Sequence, residues 1–136
     1  MINDGYILTP ISTGELFDKI SVLHVKKKYI KNQDKLLFVN NELDELNLLS
    51  ETLISEKPEL QPLLLDLISI NENLWNILDK QRHLEEQGKL DLEFINLSIQ
   101  VYRENDKRFL VKNKINNLTN SKIKEQKHYN KYESYS

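Results

Sequence analysis

The residues able to do chemistry in this chain are charged and amide side chains that recur at helical spacing. Glu15, Asp18, Lys19 and Lys26 fall within one stretch, Pro10 to Lys28, reading PISTGELFDKISVLHVKKK. Asn71, Trp75, Asp79 and Arg82 follow at spacings of four, four and three, which puts them on one helical face. Tyr102, Asn105 or Asp106, and Lys112 lie close to a third line, and Arg108 stands four residues before Lys112. Arg offers a planar fork that matches phosphate or carboxylate, and Lys adds a point charge. If Asp79 is taken by Arg82 and Asp18 by Lys19, the cations Lys19, Arg82, Arg108 and Lys112 outnumber the nearest inward acids. Trp75 and Tyr102, on the same faces, can cover a sugar or a base. The chemistry expected is therefore the binding of a small anion. The plainer reading of the first stretch is a solvated pair between Glu15 and Lys19, worth about 0.2–0.5 kcal/mol.

Other chemistries fit less well. There is no Gly-rich phosphate loop, no G-x-S-x-G and no H-E-x-x-H. His24, His83 and His128 are isolated and there is no Cys, so neither a metal site nor a cofactor is expected. Glu15-Leu16-Phe17-Asp18 has the E-x-x-D form of the metal clusters in all-helical nucleotide pyrophosphohydrolases, which need a facing acidic pair. Glu42 with Glu45, or Glu72, are the candidates for it. Lys19, Lys26, Arg82, Arg108 and Asn71 also supply the inventory of a helical mutase of the chorismate type, although an inventory is not a site.

These side chains need helices to position them. Ser12 and Glu15 form an S-x-x-E capping box, with Ile11 and Leu16 placed as a hydrophobic staple. The first helix should run from Thr13 to about Lys31, with Leu16, Ile20, Leu23 and Tyr29 or Ile30 as its apolar stripe. The second should run from near Asp34 to near Ser55. Its stripe of Leu36, Val39, Leu43, Leu46, Ser50 and Leu53 suits a hairpin packed on the first, or else a dimer face. Pro58 and Pro62 suit the first turn of a third helix, which should end near Gln87 with Gly88 as its C′ residue. Leu63 to Ile70 is apolar nearly all round and should be deeply buried. Asp91 can cap a fourth helix running to about Asn116, and Ser121 can start a short fifth, with Tyr129 and Tyr132 packing back. Tyr6-Ile7-Leu8 can lie extended against the bundle.

Composition agrees with this. The chain has 136 residues, with three Gly, three Pro and a single Met. One all-α domain is expected, an antiparallel bundle of four main helices plus the short C-terminal one. It should span 1–132, with 133–136 as a frayed tail. No signal peptide or apolar run of membrane length is present, so a cytoplasmic location without membrane insertion is expected. Residues 40–93 carry 4 basic and 13 acidic groups, whereas 103–131 carry 9 basic and 3 acidic. The net charge of −2 argues against nucleic-acid binding. The uneven halves suit internal complementarity or a protein partner.

Three segments together resemble a bacterial family known only as a domain of unknown function. Its pattern is approximately P-x-S-x-G-E-L-x-D-K-x-x-I-L-x-x-K, then N-x-x-L-W-x-x-E-D-x-x-R, then V-Y-x-x-N-D-x-R-x-x-x-K-x-x-I-N. The matching residues are Pro10 to Lys26, Asn71 to Arg82, and Val101 to Asn116. Ser121, Glu125, Lys127 and Tyr129 look like its closing element. The chain departs from the pattern at Leu78 and Gln126, where the family has acids. The resemblance transfers no activity, but it picks out Glu15, Asp18, Lys19, Lys26, Asp79, Arg82, Asn105, Asp106, Arg108 and Lys112. It also implies a link to surface-glycan metabolism, through gene neighbours that are surface-polysaccharide glycosyltransferases. The expected protein is a small binding or accessory protein whose inter-helix site takes a phosphorylated or nucleotide-linked sugar. Its rivals are an interaction scaffold or homodimer whose charges form a structural network, and a small all-α enzyme.

Overall fold

The structure, a computed structural model, describes residues 5–128 and the backbone of Ile2 and Asn3. Helix α1 spans Thr13–Tyr29 and begins where the sequence places it. The Ser12 hydroxyl accepts from the Glu15 amide at 3.0 Å. The Glu15 carboxylate binds Lys112 Nζ at 3.0 Å, an inter-helix contact beyond the local box. The far end of the chain supplies the other caps. Gly14 N–H donates to Asn116 Oδ1 at 2.7 Å, and Thr13 N–H donates to Ser121 Oγ at 3.3 Å. With Leu16 N–H on the Ser12 carbonyl, all four N-terminal amides of α1 have acceptors. Gly14 is needed for this close approach, because a Cβ there would lie 2.6 Å from the Lys112 carbonyl oxygen.

Helix α2 spans Gln33–Glu56, capped by Asn32, whose side chain accepts from the Lys35 amide at 3.0 Å. Helix α3 spans Leu60–Glu86 and follows Pro58. Gly88, at φ +70, is its left-handed C′ residue. The N–H of Lys89 reaches the Leu84 carbonyl and that of Gly88 the Glu85 carbonyl, which is a Schellman closure. Helix α4 spans Leu92–Leu118. The fifth helix expected at Ser121 does not form among the described residues: 121–128 run without helix, after Asn120 turns the chain at φ +49. Tyr129, Tyr132 and the tail 133–136 lie outside the described residues. Strands β1 (Ile2–Asn3) and β2 (Tyr6–Ile7) form a minimal antiparallel ladder. Tyr6, Ile7 and Leu8 are exposed there and do not lie against the bundle.

The result is an all-α four-helix bundle with α1 at its centre, packed against the other three helices. The α3–α4 pairing is the most extensive, and α2 rests almost wholly on α1. Phe17, Ile20, Leu43, Leu60, Leu67 and Ile115 are fully buried. The α2 stripe is core: Val39 and Leu43 are buried, with Leu46 and Leu53 packed beside them. Leu63 to Ile70 is less buried than expected. Leu64 and Leu67 face the core, whereas Leu65 is exposed, because α3 has neighbours on only part of its circumference. Among the described residues, no helix is long and apolar enough to cross a membrane.

Candidate functional site

The polar heart of the molecule lies between α1, α3 and α4. Asp18 is only 2% exposed, one turn into the central helix. Arg108 of α4 meets it with two parallel hydrogen bonds, Nε to Oδ1 at 2.7 Å and Nη2 to Oδ2 at 2.5 Å. From α3, Asn71 Nδ2 donates to Asp18 Oδ1 at 3.1 Å and to Ser21 Oγ at 2.7 Å. The Ser21 hydroxyl in turn donates to the Asp18 carbonyl at 2.6 Å. Asp18 is thus paired across helices with Arg108. The local pairing with Lys19, on which the count of spare cations depended, does not form.

A second layer lies toward the α1 N-terminus. Lys112 is buried with its ammonium 3.0 Å from Glu15 and 3.0 Å from Glu125. Glu125 comes from the irregular segment after α4, and Lys127 lies 3.5 Å from its other oxygen. Lys127 also sits 5.7 Å from the Phe109 ring centroid, within cation–π range. Burial works against the charge on Lys112, but its bonds to the Glu15 and Glu125 carboxylates outweigh it and raise its pKa. Burial likewise works against Glu125, and Lys112 and Lys127 override it and lower its pKa. The Arg108 pKa is raised chiefly by its hydrogen bonds to Asp18.

These layers line a cleft of about 180 Å³ bounded by Glu15, Asp18, Asn105, Arg108, Lys112 and Lys127, with Phe109 and Glu125. Arg108 has five N–H groups. Two go to Asp18 and a third makes a long contact of 3.4 Å to Asn105 Oδ1. The charges in the cleft are balanced, with Arg108, Lys112 and Lys127 against Asp18, Glu15 and Glu125. The cation excess expected from the sequence is absent because two of the four cations counted toward it lie elsewhere.

Lys19 is exposed on the outer face of α1 and pairs with Glu42 at 3.2 Å. Arg82 is exposed, and Asp79 lies 3.8 Å from His83 in place of the expected local pair with Arg82. Both fall on the part of the α3–α4 hairpin that extends past α1. Lys26 and Asp106 are half-buried outside the cleft, and Tyr102 is exposed. Trp75 stacks on Tyr29 with ring centroids 5.6 Å apart and borders a neighbouring apolar cleft. The acids that were candidates to face Glu15 and Asp18 do not do so: Glu42 pairs with Lys19, Glu72 with Lys28 and Tyr29, and Glu45 is exposed. Among the described residues, no group of three His, Asp or Glu side chains is placed to hold a metal ion. Ser21, Glu125 and Lys127 complete the cluster. The last two were visible only in the closing motif, and Ser21 had no sequence signal beyond standing three residues after Asp18.

No curated protein and no solved structure matches the chain. A model described as a family of unknown function, DUF6165, matches residues 7–135, nearly the whole length, and the chain belongs to that family.

Proposed function

We propose that the charged cleft between α1, α4 and the segment after α4 binds a small ligand with a phosphate or similar anionic group. Phosphorylated or nucleotide-linked sugars are the favoured class, and the protein then serves as a binding or accessory component of glycan metabolism. The observation that carries this reading is that the polar cluster opens onto a cleft. Among the described residues, Arg108 keeps two N–H groups beyond its bonds to Asp18 and Asn105, and Lys127 is held only loosely by Glu125. These cations suit a phosphate, and the Glu15 and Glu125 carboxylates suit the hydroxyls of a sugar. A second reading rests on the balance of charge: each of the six charged groups already has a partner, which is what a structural network requires.

Thermal denaturation with inorganic phosphate, glucose 1-phosphate and UDP-glucose separates the two readings. A ligand at 100 times its Kd adds about 2.7 kcal/mol. Lys127→Gln should remove most of that gain and leave the free protein's melt within about 1 kcal/mol, since its ion pair is partly exposed. Arg108→Gln is unsuitable as the probe, because it would strand the buried Asp18 carboxylate. If none of the three compounds shifts the melt, the network is structural.

A further inference from the structure

We infer that the ligand of this site has two parts, an anionic group and a flat ring whose edge carries a hydrogen-bond donor, the chemistry of a nucleoside phosphate. This rests on the reading above and specifies its ligand.

Beside the charged cleft lies a second one of about 250 Å³, walled by Val22, Val25, Leu74, Trp75 and Leu78. Asn105 and Arg108 line both clefts and so form their common wall. Small-molecule sites typically enclose about 300–1,000 Å³. Neither cleft reaches that range alone, but the two volumes on either side of Asn105 and Arg108 reach it together. A larger, shallow hollow of about 500 Å³ beside Pro62 and Leu118 is walled mainly by apolar surface and lacks a comparable set of charges.

The apolar cleft holds one buried polar group whose orientation is fixed. Asn71, 6% exposed, lines it. Both hydrogens of its amide nitrogen are used, on Asp18 and on Ser21. A flipped amide would put an oxygen about 3.1 Å from the Asp18 carboxylate, so the network itself sets the amide's direction. Asn71 can therefore offer an incoming ligand only its oxygen, an acceptor. Among the described residues, no donor reaches that oxygen. A ring edge with an N–H satisfies it, the aliphatic walls and Trp75 cover the ring faces, and Arg108 at the shared wall meets the phosphate.

Titration calorimetry of the full chain with inorganic phosphate, ribose 5-phosphate, UMP and N3-methyl-UMP tests this. UMP should bind about tenfold or more tighter than ribose 5-phosphate, because only it fills the apolar cleft. N3-methyl-UMP, which lacks the ring N–H, should lose most of that advantage. Leu78→Glu places a charge at the rim of the apolar cleft, and Leu78 is exposed enough to tolerate it. It should bring UMP down to the level of ribose 5-phosphate while ribose 5-phosphate binding persists. Equal binding of UMP and ribose 5-phosphate overturns the two-part ligand and leaves the anion site standing. UMP binding that is indifferent to both N3-methylation and Leu78→Glu also overturns it. If none of the phosphates binds, the anion site fails as well.

Discussion

At the scale of single residues, Asp18 and Arg108 decide how the polar cluster behaves. A buried ion pair is seldom more stabilising than well-packed apolar groups, but breaking it from one side strands a charge. Asp18 is almost fully enclosed, whereas the Arg108 side chain keeps 29% of its surface. Losing the arginine should therefore hurt more than losing the aspartate. Urea denaturation should show Arg108→Gln costing about 3–5 kcal/mol and Asp18→Ala a loss at the lower end of that range. The double variant Asp18→Ala, Arg108→Gln should cost less than the two single losses summed, because neither charge is left alone. Losses that simply add would mean the two residues are not coupled. The sequence marked Asp18 as a charged residue of the first helix, within the stretch from Pro10 to Lys28. It could not show the partner, because Arg108 stands ninety positions away.

At the scale of elements, the segment after α4 acts as a clasp. Ser121 caps α1, Glu125 meets Lys112, and Lys127 covers Phe109. The signs of the pKa shifts define its pH window. Glu125 titrates lower in the folded chain than its ordinary 4.5, so its stabilisation is complete above 4.5 and is lost as pH falls through the lowered value. Lys112 titrates higher than its ordinary 10.5, so its share is complete below 10.5 and is lost as pH rises through the raised value. Glu125→Gln should accordingly flatten the acid limb of a stability–pH profile and lower stability at neutral pH. An acid limb of unchanged steepness in this variant would show that the clasp does not depend on Glu125. Helix α1 was legible because its start is local, with Ser12, Glu15 and Gly14 within three positions. The sequence predicts a fifth helix from Ser121, and residues 121–128 do not form one. Ser121 is a good capping residue, but its hydroxyl is used on α1 and on the Ile123 carbonyl.

At the scale of the whole molecule, α1 is surrounded and α2 is a flank. Stability should therefore depend on the inner face of α2 and hardly at all on its outer one. Leu43→Ala, at a site 2% exposed, should cost about 2–5 kcal/mol. Phe38→Ala, at a site 78% exposed, should stay within about 0.5 kcal/mol in the same urea melts. A large loss at Phe38 would mean that the outer face of α2 is covered in solution. The sequence alone determined the helices, their Ser12 and Gly88 boundaries and the apolar stripe of α2. Capping, proline placement and periodicity act within one or two turns, so neighbouring residues suffice to specify them. It also marked a set of charged and amide groups at helical spacing, with Lys19, Lys26, Asp79 and Arg82 in it alongside Asp18, Asn71, Arg108 and Lys112. Only the tertiary structure decided which of these meet. A helical face is a line of candidates about 5.4 Å apart, one per turn. The depth at which two helices pack selects a few residues from each line. That depth brought Asn71 and Arg108 onto Asp18, placed Glu15 on Lys112, and left Asp79 and Arg82 beyond the end of α1, where solvent and His83 are their neighbours.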